Sequence, residues 1–274
     1  MIGTAAERAA IETAAIKLDS KASAVINDSN QTLTVSVTVA NNADRMLIIQ
    51  ASTYNPSADI DNVTRDSQTG VEIGARLAAP SNGQTNLWYI ANPNTGTATL
   101  TVDWDTNMGK RGIGVYSFYN VKQSNSGADA IANYVESTGG ASQHSVINTA
   151  NASTQDGVVA VTPTTAGSAI IDGCSWILGS GNVPVQTETL GWINVYPSGK
   201  TGASQYNLSP TISSSNNMYW TASSSVAHFA WQGFELKCET NNPIGLNFSN
   251  GTLFEESDTG KHYMFDGTDT WNEM

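Results

Sequence analysis

The sequence predicts an all-β protein, an antiparallel β-sandwich of jelly-roll type, on three observations. Apolar and hydroxyl side chains alternate over many short stretches, Gly, Pro, Asn and Asp turns separate those stretches, and almost no helical periodicity lies between them. Parallel sheets need long, usually helical crossovers, so their absence selects antiparallel pairing. One-faced alternation marks sheets with one wet side. No blade-length repeat is visible, which removes the propeller. At 274 residues the chain is long enough for a large core, and its seven Trp, nine Tyr and six Phe rule out disorder.

Taken in order, residues 4–18 read as the one helix, rich in Ala, with Thr4 and Glu7 as a capping box and Ile11 and Ile16 as its bulk. Such a helix is marginal alone in water, so Ile11 and Ile16 are candidates for an assembly contact. From Ala22 the period becomes two. Leu33, Val35, Val37 and Val39 take one face of a strand, and Thr32, Thr34, Ser36 and Thr38 the other. The unbroken apolar run Arg45–Ala51 predicts a central strand. Residues 53–70 read as a long loop with a short strand near 60–63. Thr85–Ala91 and Thr97–Trp104, divided by Pro93–Gly96, make either a hairpin or a corner between sheets.

Gly114–Tyr119 is a further strand, with Tyr116 and Phe118 on one face and Tyr119 on the other; Trp88 and Tyr89 likewise point apart. Residues 128–134 suit one helical turn. Strands follow at 158–161, 167–178, 192–196, 217–221 and 226–236. The composition shifts after Glu239, and 241–274 reads as an acidic hairpin element. The expected organisation is a helical arm over 1–19, a sandwich over 20–240 and the C-terminal hairpin over 241–274. Thirty-odd residues rarely build their own core, so Phe254, Tyr263, Phe265 and Trp271 are expected to pack on the main domain or on another subunit.

Twenty-four acidic against twelve basic residues give a net charge of -12, which argues against nucleic acid as a partner. No apolar stretch approaches the length of a membrane helix, so no membrane insertion is expected, and the first twenty residues lack the pattern of a secretory signal. Cys174 and Cys238 are either one bridge or two buried thiols. His144, His228 and His262 have no metal-ligand spacing between them. No nucleophile elbow, phosphate loop or zinc-protease motif is present, so no enzyme is expected. Asp103 and Asp105 share a strand face but sit at a strand end, where aspartates are common. The one ionic candidate is Ca²⁺, for which Asp59, Asp61 and Asp66, or Asp103 and Asp105, offer hard oxygen ligands.

Arg45–Ile49, Thr85–Val102 and Gly114–Phe118 together resemble a sandwich module of phage and environmental surface proteins. Leu253–Trp271, with its core Glu256-Ser-Asp-Thr-Gly-Lys261, Tyr263, Asp266-Gly267 and Trp271, is similar to a short segment of virion structural and tail-associated proteins. The resemblance implies a virion structural protein, such as a capsid decoration or fibre, without catalytic residues. It implies a homo-oligomer, a trimer by that analogy, in contact with other virion proteins and extracellular after release. The alternatives are a module binding host-surface glycan or receptor, and a subunit of a non-viral extracellular filament.

Overall fold

The structure is a computed structural model that describes residues 2–3, 15–28, 30–55, 57–79, 83–107, 109–139, 159–178, 185–186, 188–195, 200–218, 220–221, 226–239, 251–265 and 271–274. The chain is all-β with antiparallel sheets, and among the described residues one strand pair alone is parallel. Strand β1 (Ile2–Gly3) belongs to a C-terminal sheet. The body begins with β2 (Lys17–Ile26), β3 (Thr32–Val39), β4 (Met46–Thr53), β5 (Ile60–Arg65), β6 (Gln68–Thr69), β7 (Val71–Ala78), β8 (Gln84–Ala91), β9 (Gly96–Trp104) and β10 (Arg111–Tyr119). These form a five-stranded sheet, β2-β10-β4-β8-β7, facing a four-stranded sheet, β3-β9-β5-β6.

Alternation decides which side chain goes where. Leu33, Val37 and Val39 of β3 bury against Leu47, Ile49 and Ala51 of β4 and against Val115 of β10. The other face of β4 and β10 carries Met46, Ile48, Tyr116 and Phe118 into a second core. Every residue of β4 is buried, because the five-stranded sheet is covered on both sides. Trp88 and Tyr89 part as expected, Trp88 toward the first core and Tyr89 toward the second. The β8–β9 connection is a corner: β8 lies in one sheet and β9 in the other, with Asn92 (φ 43°) and Gly96 (φ 98°) making the bend.

A short 3-10 helix (Ser124–Ala130) leads into a second unit. It comprises β11 (Ile131–Gly139), β12 (Val159–Val161), β13 (Ala169–Leu178), β14 (Val185–Gln186), β15 (Thr189–Val195), β16 (Lys200–Asn207), β17 (Asn216–Met218), β18 (Trp220–Thr221) and β19 (Val226–Leu236). Its five-stranded sheet runs β11-β19-β13-β16-β15, covered by the pairs β12-β17 and β14-β18. The order repeats that of the first unit strand for strand. If β6 and β7 count as one pass, and β17 and β18 as one, each large sheet reads first, eighth, third, sixth, fifth.

The two large sheets pack face to face, and the contacts are reciprocal. Strands β4 and β13 meet each other; β8 touches β13 and β19 as β16 touches β4 and β10; β7 touches β11 and β19 as β15 touches β2 and β10. The bridge Val121↔Cys238 joins the ends of the two units symmetrically. This is an isologous contact within one chain. Glycine permits the close approach. A Cβ on Gly114 would lie 1.8 Å from the Trp192 ring, and one on Gly191 2.1 Å from the Tyr116 hydroxyl.

Three expectations change. Ile16 is not helical: its N–H donates to the Gly167 carbonyl at 2.9 Å, its side chain is buried between the units, and β2 starts at Lys17. Edge pairing with β10 outweighs alanine's helix preference there. Residues 4–14, Ile11 included, lie outside the described residues. The short strand expected near 60–63 is β5, but the loop around it also holds β6, and the helical turn expected at 128–134 is the end of the 3-10 helix followed by β11. Cys174 and Cys238 are buried thiols with no disulfide between them, donating to the Ala203 and Ala166 carbonyls.

The C-terminal sheet is ordered β1-β20-β21-β22, with β20 (Leu253–Glu256), β21 (His262–Phe265) and β22 (Trp271–Glu273). Phe254, Tyr263, Phe265 and Trp271 form a core cluster of their own instead of joining the body's. The Trp271 ring lies 5.7 Å from Phe254 and 5.2 Å from Phe265. Aromatic rings bury enough area each for four of them to hold a small sheet.

Candidate functional site

Alternation in the C-terminal sheet gives it two unlike faces. Phe254, Glu256, Tyr263 and Phe265 point inward, while Leu253, Glu255, His262 and Met264 point out. Leu253 and Met264 are direct cross-strand partners, and Asn272 stands opposite Met264. They are 50% and 41% exposed, and Met274 is 66% exposed, so three of the five exposed large hydrophobics among the described residues sit on this small element. The four residues named from sequence as interface candidates here are therefore the ones turned away from solvent. The alternation Leu-Phe-Glu-Glu and His-Tyr-Met-Phe held the signal for the outward set.

The Glu256–Lys261 segment is a structural turn. The Glu256 N–H donates to the Lys261 carbonyl at 2.9 Å and the Gly260 N–H to the Glu256 carbonyl at 2.8 Å. The Thr259 hydroxyl donates to the buried Glu256 carboxylate, and Gly260 supplies the left-handed residue at φ 70°. Lys261 pairs with Glu273 at 3.0 Å, tying the turn to β22, and that carboxylate raises the lysine's pKa. Glu256, Thr259, Gly260 and Lys261 thus each have a place in closing the sheet. His262 is exposed opposite Glu255 in the register.

The carboxylates proposed for Ca²⁺ are not gathered. Asp59 pairs with Arg76 at 3.4 Å, and its N–H donates to the Asp105 carboxylate at 2.9 Å. The Thr32 hydroxyl donates to Asp103 at 2.6 Å, Asp66 lies against Arg65 at 3.4 Å, and Asp61 is exposed. Among the described residues no group of three or more His, Cys, Asp and Glu is placed to hold a metal ion. Asp103 and Asp105 flank buried Trp104, as their spacing requires, and serve as anchors between β9, β3 and the loop before β5.

Two acids missed by sequence reasoning lie fully buried in the second unit. The Glu235 carboxylate accepts from the Ser168 hydroxyl at 2.8 Å, the Thr165 N–H at 2.9 Å, the Thr164 N–H at 3.1 Å and Asn133 at 2.6 Å. Burial works to raise its pKa, but these donors together hold it below the usual value. Asp172, in the middle of β13, accepts from the Gln205 N–H and side-chain amide, each at 2.8 Å, and from the Trp231 indole at 3.0 Å. For this group burial prevails over the donors and pushes the pKa up to about 7. A lone acid inside Ile170-Ile171-Asp172-Gly173-Cys174 was the available sign.

No protein-family model, curated protein or solved structure matches the chain.

Proposed function

We propose that this chain is a non-enzymatic structural protein of a virus particle, a tandem of two jelly rolls displayed at the particle surface and attached through the outer face of its C-terminal sheet. The observation that carries the reading is the strand order. In the first unit, passes one, eight, three and six face passes two, seven, four and five, which is the arrangement of two interlocked Greek keys; jelly rolls of this kind recur in capsid and lectin domains. The second unit repeats the order of the large sheet, with the pairs β12-β17 and β14-β18 on its outer side. The polar residues that could have served chemistry, Asp59, Asp103, Asp105 and Glu235, are engaged in holding loops and strands together. Among the described residues, Trp104, Trp192, Trp220, Trp231 and Trp271 are buried, so the glycan-platform alternative draws no support from them.

Contact among copies and with neighbouring virion proteins falls to Leu253, Met264 and Met274. Light scattering of the purified chain is expected to show an oligomer, a trimer on this reading, that the paired substitution Leu253→Glu and Met264→Glu turns into monomer with an unchanged circular dichroism spectrum. A wild-type chain that stays monomeric at tens of micromolar, or an oligomer indifferent to the pair, overturns the attachment surface. Antibody against the chain is expected to decorate intact particles in electron micrographs of the source culture; unlabelled particles overturn the virion assignment itself.

A further inference from the structure

The outward-facing positions of β4 are Leu47, Ile49 and Ala51, all in one aliphatic core. Those of its counterpart β13 are Ile170, Asp172 and Cys174. Asp172 therefore stands where the first unit has Ile49, completely enclosed, beneath a cover made of Val161, Met218 and Trp220. Gln205 of β16 and Trp231 of β19 donate to it, so the carboxyl ties the three middle strands of the sheet together. None of these donors carries a charge.

We infer that Asp172 makes the second unit the pH-sensitive half of the body, which loses stability when this enclosed carboxyl gives up its proton. Burial without a cation favours the neutral acid, whereas N–H donors favour the anion, so the balance is struck close to neutrality and not at the ordinary value. The groups facing it are neutral or resist ionisation. Tyr116 on β10 and Cys174 on β13 are both held well above their ordinary values by burial and by Asp172 itself; Tyr206 on β16 is raised by burial. Glu188, whose N–H donates to the Gln205 side chain at 2.9 Å, is the nearest further acid through that residue. The Trp220 indole of β18 favours the ionised form, which couples the carboxyl to the cover.

The sign follows from proton counting. Between the ordinary pKa of 3.8 and the native value of about 7, the folded chain holds a proton that the unfolded chain has released. Stability from this group is therefore present below pH 4 and declines as pH rises through 7. Urea unfolding is expected to give an equilibrium constant about tenfold larger at pH 8 than at pH 6 from this group. Asp172→Asn is expected to flatten that dependence. Should Asp172→Asn not fold, the wild-type protein still decides the matter: carboxyl ¹³C NMR is expected to show a resonance titrating near neutrality that moves to higher pH in Trp231→Phe. A wild-type protein with no carboxyl carbon titrating between about pH 6 and 8, or a dependence unaltered in folded Asp172→Asn, overturns the inference.

Discussion

The two units share a strand order and differ in what fills it. The first closes chiefly on aliphatic side chains, with Leu33, Val37, Leu47, Ile49, Leu100 and Val102 packed together; its buried charges are Arg65 and Arg111, and among its described residues no acid is buried. The second places Trp220 and Trp231 around Asp172 and ties Glu235 to the loop before β13. Its large sheet also leans on Gly173, Gly191 and Gly202, where the facing side chains of the first unit come close. One topology thus tolerates either an aliphatic core with buried guanidinium groups or a hydrogen-bonded acid as its hub. The hub fixes neighbours more specifically but is costly wherever a donor is missing.

The sharpest way to break the comparison is to move the acid across. Ile49→Asp puts a carboxyl into the aliphatic core with no donors arranged for it. It is expected to destabilise by more than about 4 kcal/mol, seen as loss of cooperative unfolding at neutral pH. A mild effect would show that the donors around Asp172 are incidental. Next comes the seam between the units. Gly114→Val drives a side chain into the Trp192 ring and is expected to cost about 3 kcal/mol, with a shift in tryptophan emission as Trp192 is displaced. The smallest of the three is Glu235→Gln, which turns an acceptor of four or more hydrogen bonds into a group with one acceptor oxygen. It is expected to cost about 2 kcal/mol and to raise hydrogen exchange at Thr164, Thr165 and Ser168 first.

Much of the first unit was legible because its strands obey the period of two. The Leu33–Val39 face, the shared side of Tyr116 and Phe118, and the parting of Trp88 from Tyr89 all follow from it. The buried run Met46–Thr53 carried a further message, since a strand apolar on both faces must be covered twice, and the second cover is the other unit. Strand β16, Lys-Thr-Gly-Ala-Ser-Gln-Tyr-Asn, was not legible. It has no aliphatic stripe, because Gly202 lies against Ser52 and Trp192, and Gln205 serves Asp172. Its fitness depends on residues far away in sequence. Strand β2 was hidden for a different reason: alanines with strong helix preference precede it, and its own register slips between Ser117 and Phe118 of β10, sending Leu18 to the opposite face from Ala22 and Ala24. At the C terminus the alternation was visible, but alternation says which residues differ in face and not which face has company.

Because β4 meets β13 across matched surfaces, the body resembles a dimer whose partners are joined through residues 120–130. A self-complementary patch that in a single-unit protein would recruit a second copy is here permanently occupied from within. Contact between copies would therefore have to use ground other than this seam.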